Sequence, residues 1–476
     1  MKITKSTYLT PIVAVLAFAG TASSLMAQAQ TPPPEEPQAD TPPEEGQLVQ
    51  APPEEVLPGT LFTLTLGLGY SYEDEEDEPS ESFLTGLVDA ALVANTSNQR
   101  FAFSAGGLVE LDEDDTNIER ANTALNYAIF NRNTEASVDL AFRETEVDGD
   151  DLDEDFDADD LVDDDGTRET LTAGLRLITG RAARFGTDTR LGFREINYAD
   201  TTDPDLVDET EFSFSTDLRF TVDRRIELGA FVTWSETEED DAANRIETEV
   251  TAGLRGNFLL DRAWTGAFSL AVGENDIEEF GLDSTEDIVR ASAAFARFMP
   301  NGTLAIETDL DSEDDAAITT LSVTRTLGLA NGAALAASIG AAHYDNADTS
   351  RALFGLSYDN EIARGRFLSV AFNQTADRDD DDSEILRSTF DITYDQALTR
   401  NSQLRLTGGL AGIEVVDDTD DDTLRANIGV SYRHDLAQDW SFVASADHTV
   451  LYEDGERDDS ESVLSLGVER RFSFRP

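Results

Sequence analysis

From Thr60 to the C-terminus the chain alternates apolar and polar residues in segments of ten or more, separated by turn-forming or acidic stretches. In Leu61–Tyr72, Phe62, Leu64, Leu66, Leu68 and Tyr70 fall on one side, and Thr63, Thr65, Gly67, Gly69 and Ser71 on the other. Glu211–Val222, Arg225–Trp234, Asn244–Leu260 and Thr423–Tyr432 repeat the pattern. Side chains of an extended chain point alternately to opposite faces. Each segment is therefore predicted to be a strand with one apolar face and one face of Ser, Thr, Gly, Asn and full charges.

The connections fall into two alternating classes. One class is long and acidic: residues 73–81, 110–115, 144–166, 200–211, 236–241, 274–287, 307–315, 345–348, 377–384, 414–422 and 453–461. The other is short and often carries arginine: residues 95–100, 131–134, 179–184, 223–225, 260–263, 299–303, 329–333, 360–366, 398–402 and 436–440. Eleven long connections interleaved with ten short ones predict 22 strands, with 20–24 compatible with the pattern. At about 19 residues per strand plus connection, the spacing suits tilted membrane-spanning strands of roughly 9–11 residues.

In lipid every backbone donor and acceptor must be paired internally, so a sheet spans only if it closes on itself. A soluble sandwich, propeller or solenoid also alternates, but would not sort its connections by length and charge. The predicted fold is all-β: a transmembrane antiparallel up-and-down barrel over residues 60–476, without a plug domain. An even strand count places both barrel ends on one side, expected to be the periplasm.

Composition narrows the functional classes. The 476 residues carry 98 acids against 34 Lys+Arg, a formal net charge of −64, with no Cys and three His. Such charge excludes nucleic acid as a partner, because phosphates demand a basic surface. The absence of Cys excludes disulfides, thiolate metal sites and cysteine nucleophiles. No G-x-S-x-G, H-E-x-x-H or P-loop motif occurs, so no enzyme is expected.

Lys2 and Lys5, the chain's only lysines, precede an apolar stretch Pro11–Gly20 and a small-residue Ala27-Gln28-Ala29 site. Residues 1–29 read as a signal peptide. Residues 30–59 are rich in Pro and Glu with little to bury and read as a solvated periplasmic tail.

From Thr60 on, the chain resembles bacterial outer-membrane β-barrels of the porin type. A looser match is to the β-barrel porins that often accompany exopolysaccharide genes. The last segment, Ser462–Phe474, has Leu464, Leu466, Val468, Phe472 and Phe474 on one face. It resembles the C-terminal signal recognised by the outer-membrane insertion machinery. It departs from that signal in Arg470, which interrupts the apolar face, and in the trailing Arg475 and Pro476. Barrels of 22 strands are also the hallmark of receptors energised through a periplasmic protein. Those carry a folded plug of over a hundred residues, and that reading is set aside because about 30 Pro/Glu-rich residues precede the first strand here.

Strand parity turns Arg176, Arg190, Arg194, Arg219, Arg255, Arg405, Arg425, Asp139, Asp188, Asp217, Glu247 and Glu249 inward as candidate lumen-lining residues. Charges lining an aqueous space set ion preference, and they also pair simply to keep the wall wetted. In the 144–166 loop, Asp155, Asp157 and Asp159 invite a calcium reading. The glycine and acid an EF-hand requires fall instead on Asp160 and Gly166, so no specific metal site is assigned. Diffuse Ca2+ or Mg2+ binding by the outer acids, bridging to lipopolysaccharide, is expected, with no cofactor. The expected activity is passive diffusion of small hydrophilic solutes or ions through a monomeric porin. The alternatives are a non-conducting surface barrel organising lipopolysaccharide or polysaccharide, and an accessory barrel in exopolysaccharide export.

Overall fold

The computed structural model describes residues 59–75, 80–111, 116–147, 166–199, 201, 206–239, 244–313, 316–329, 332–378, 384–416, 423–453 and 456–475. The expected signal peptide, residues 30–58 of the tail and the acidic triplet Asp155, Asp157 and Asp159 lie outside these residues.

The alternating segments form 22 strands. The first eleven are β1 (Gly59–Glu75), β2 (Glu81–Asn95), β3 (Gln99–Leu111), β4 (Thr116–Phe130), β5 (Thr134–Glu146), β6 (Thr167–Thr179), β7 (Phe185–Ala199), β8 (Glu209–Thr221), β9 (Ile226–Glu239), β10 (Ile246–Leu259) and β11 (Trp264–Glu279). The remainder are β12 (Leu282–Met299), β13 (Gly302–Glu313), β14 (Ala316–Gly328), β15 (Ala334–Tyr344), β16 (Thr349–Ala363), β17 (Arg366–Arg378), β18 (Glu384–Thr399), β19 (Ser402–Val415), β20 (Thr423–Ala437), β21 (Trp440–Glu453) and β22 (Glu456–Phe474).

Each strand pairs antiparallel with its neighbours in sequence, and β1 pairs with β22 from Phe62↔Phe474 to Glu75↔Glu461. The sheet is a closed antiparallel cylinder with no free edge, which satisfies the backbone throughout. At the seam the Phe62 and Phe474 rings lie 5.9 Å apart, and the Ser71 and Ser465 hydroxyls hydrogen-bond at 3.0 Å although 394 positions separate them.

The exterior is a band of exposed apolar side chains, among them Leu68, Leu175, Leu254, Val272, Ile339 and Ile428. Their exposure marks a surface made for hydrocarbon. At the short-turn rim Arg470, which breaks the apolar pattern in the sequence, stacks 4.5 Å from Phe472 and 5.2 Å from Trp440. Arg297 repeats the arrangement 5.3 Å from Trp264. A guanidinium over an aromatic face keeps its charge at the headgroup level while its stem stays apolar. Leu464, Leu466, Val468, Phe472 and Phe474 occupy the lipid face of β22, in register with β1 or β21.

The short turns share a device. Asp223 accepts from the backbone N–H groups of Arg225 and Ile226 at 2.6 and 3.1 Å. Asp261 does the same for Ala263 and Trp264 at 2.6 and 3.0 Å. Asn131 does so for Asn133 and Thr134 at 2.8 and 2.9 Å. A side-chain oxygen three residues before the strand closes the turn without a long loop.

The long-loop rim differs from the sequence reading. Four runs expected as acidic loops are largely strand, among them 236–241, of which 236–239 complete β9. Residues 274–287 belong to β11 and β12, joined by a two-residue turn at Phe280 and Gly281, whose φ values are 49° and 72°. Most of residues 307–315 complete β13, and 456–461 open β22. These hairpins project beyond the apolar band, where both faces are wet and the apolar alternation has no reason to continue.

Candidate functional site: the charged lumen

The lumen wall is built by parity. Residues opposite the lipid-facing positions are Gly, Ser, Thr and charged side chains, and the closed register brings charges from several strands together. The twelve charged residues singled out in the sequence lie on the strand faces opposite the exposed apolar side chains such as Leu140, Leu175, Leu191, Leu218, Leu254, Leu406 and Ile428.

In the half nearer the short turns, Asp188 on β7 and Asp217 on β8 are register partners. Each takes an arginine from its outer flank. Arg176 on β6 grips Asp188 with two hydrogen bonds, of 2.9 and 2.5 Å, and Arg190 lies 3.5 Å from the same carboxylate. Arg255 on β10 reaches Asp217 at 2.7 Å. To do so it crosses β9 above Gly229, where an added Cβ would stand only 2.9 Å from its Cγ. The result is a row of alternating cations and paired anions running over five strands. Arg219 closes the row, donating to the Gly180 carbonyl at 2.9 Å with Glu227 at 3.8 Å. On the opposite wall Arg405 pairs with Asp395 at 2.8 Å, and Arg433 with Glu469 at 3.0 Å.

A second network fills the long-loop half. Arg290 on β12 holds both oxygens of Glu249 at 2.6 and 3.0 Å and Asp311 at 3.3 Å. Asn275 on β11 bridges Glu247 and Glu313 at 2.6 and 3.0 Å. Arg378 extends the chain, 3.5 Å from Glu313 and donating to the Ala316 carbonyl at 3.0 Å. Arg387 is buried against Asp377 at 2.7 Å. Arg425 is buried on β20.

Over the low hairpin β15–β16 the rim folds inward. The buried Tyr344 donates to the Ile385 carbonyl at 2.9 Å, and Glu384 accepts from the backbone N–H groups of Asn346 and Ala347 at 3.1 and 2.9 Å. Ile318, Ala342, Tyr344 and Val416 form an apolar cluster beneath. Val416 follows β19, so a strand end from farther round the wall closes over this point.

Sequence reasoning found Glu247 and Glu249 but missed their partners Asn275, Arg290, Asp311 and Glu313. Asn275, Asp311 and Glu313 lay in runs read as loops; Arg290 sits in an apolar stretch where parity alone would have turned it inward. Among the described residues no group of three or more His, Asp or Glu is arranged to hold a metal ion.

No family model matches the sequence, and no curated protein matches it. Solved structures do match. The ferric-catecholate import receptor Fiu from E. coli K12 has a TM-score of 0.56 at 9% identity, covering 86% of this chain and 81% of that one. The FrpB iron transporter from Neisseria meningitidis has a TM-score of 0.55 at 8% identity, with 86% and 81% covered. The copper transporter OprC has a TM-score of 0.53 at 10% identity, with 86% and 80% covered. The fold is a bacterial outer-membrane β-barrel.

These matches correct the functional expectation. The 22-strand cylinder is shared with import receptors and metal transporters. The passive-porin reading is overturned, and with it the surface-barrel and export-accessory alternatives.

Proposed function

We propose that this barrel is an outer-membrane uptake receptor that brings a soluble ligand into the periplasm by an energised step rather than by free diffusion. The observation that carries this reading is the closed 22-strand cylinder, the architecture of the import receptors and metal transporters it matches. The lumen supports it further. Its charges are largely locked to one another, and the long-loop rim folds inward over β15–β16, which suits a guarded passage better than an open channel. In this reading both barrel ends face the periplasm. The chain enters β1 at Gly59 on the short-turn rim, the side on which an energy-coupling partner would act in this reading.

The test is uptake by cells expressing the chain, followed with a mixture of labelled small metabolites and metal chelates. Loss of uptake on collapsing the proton-motive force supports the proposal. Uptake that continues unchanged after collapse overturns it.

A further inference from the structure

Not every charge of the lumen wall is paired: Glu307 and Asp309 on β13 and Asp391 on β18 have no cation beside them, and a further stretch holds charges of both signs out of contact. On β4–β8 the wall carries a hollow of about 330 Å3 whose lining includes Asn126, Asp139, Gly174, Gly192, Arg194 and Glu211. Its depth comes from Gly174 and Gly192, which are register partners on β6 and β7 and leave no side chain between them. The Ser213 hydroxyl lies over Gly192, where an added Cβ would stand 2.3 Å away. The floor is thus glycine and serine, and Ala124, Ala141, Ala173, Leu140 and Phe193 complete a lining that is more apolar than polar.

The charges at its edge are set apart. Asp139 stands on β5, register partner of Gly174, and Arg194 stands on β7, two residues beyond Gly192. Two strand spacings, roughly 10 Å, separate their strands, with the glycine floor between. Among the described residues Asp139 makes no hydrogen bond or ion pair, and the cation whose field reaches it is Arg176 on β6. Arg194 faces Glu211 across the β7–β8 register, outside ion-pair contact but within its field, and Glu211 also accepts from the Ser213 hydroxyl. By contrast Arg176, Arg190, Arg219, Arg255, Arg290 and Arg405 all lie within ion-pair reach of a carboxylate. An anion and a cation at opposite edges of a small hollow are complementary to a molecule carrying the opposite charges at its two ends.

We infer that this hollow is a lumen subsite for a small zwitterion of amino-acid to dipeptide size. Arg194 receives the carboxylate through its planar fork. Asp139 receives the ammonium, and the Asn126 amide offers a hydrogen bond. The inference rests on the uptake reading in that it names the substrate class, but its test is a binding measurement that does not depend on energised transport.

Glycylglycine binding to the purified full-length barrel in detergent micelles is measured by equilibrium dialysis, with acetate and ethylammonium as single-charge probes. A two-point electrostatic subsite predicts millimolar binding of glycylglycine, at least about tenfold tighter than either single-charge probe. Asp139→Asn and Arg194→Gln are each expected to weaken it about tenfold or more. Gly174→Val fills the hollow without altering charge and is expected to abolish binding. The added Cβ there meets only ordinary contacts, the nearest at 3.8 Å, and heat-modifiable gel mobility verifies that each variant is folded. Undiminished binding in either charge variant, equal binding of acetate or ethylammonium, or no glycylglycine binding to the wild type overturns the subsite. Binding without energised uptake overturns only the function proposed above.

Discussion

Arg290 grips Glu249 through two parallel hydrogen bonds, of 2.6 and 3.0 Å, and the two side chains are each only 11% exposed. The pair spans β10 to β12 across the intervening β11. Removing one partner leaves a nearly buried charge without its counterpart, which costs roughly 3–5 kcal/mol. Arg290→Met is therefore expected to lower the urea midpoint of the folded barrel markedly in lipid vesicles. Adding Glu249→Gln to it is expected to restore a large part of the loss. A midpoint unmoved by Arg290→Met would show that the fork is dispensable.

At the inward-folded rim, Tyr344→Phe removes the hydroxyl that satisfies the Ile385 carbonyl. An unsatisfied buried acceptor costs about 1–3 kcal/mol, and the loss should be local. Glu384→Ala frees the Asn346 and Ala347 amides. Amide hydrogen exchange should accelerate at 346 and 347 in Glu384→Ala, while strands on the opposite wall keep their protection.

Arg470 lies between Trp440 and Phe472 at the short-turn rim. Such stacking at a partly exposed site contributes roughly 0.5–2 kcal/mol. Arg470→Ala should cost about that much in unfolding experiments and still yield assembled, heat-modifiable barrel. Failure to assemble at all would mean that the residue acts in insertion.

The two rims are predicted to lie on opposite sides of the membrane. A short epitope inserted between Phe280 and Gly281, at the tip of a projecting hairpin, should be stained on intact cells. The same epitope between Arg224 and Arg225, in a short turn, should be stained only after the outer membrane is permeabilised. Staining in the reverse sense would invert the assigned orientation.

Sequence pattern revealed the wall but not its ornament. Within lipid, one face of β1 meets hydrocarbon and the other water, so Phe62, Leu64, Leu66 and Leu68 alternate with Thr63, Thr65 and Gly67 and the strand is plain. Above the lipid both faces of β11, β12 and β13 meet water. Nothing then forces alternation, and the acids of 274–287 and 307–313 read as loop. The inward parity of Asp188, Asp217 and Arg255 followed from period two. That Arg255 crosses Gly229 to reach Asp217 did not, because which strand lies beside which is a property of the closed register. Arg470 looked like a defect in β22 because its aromatic partner Trp440 lies on the adjacent strand.

The meeting of Phe62 with Phe474 makes the wall indivisible. A ring joined between its first and last segments has no stable fraction. Any shortened chain would leave two raw margins of unpaired amides and carbonyls facing oil. The residues made last thus decide whether those made first can keep their place, and the molecule can only be finished whole.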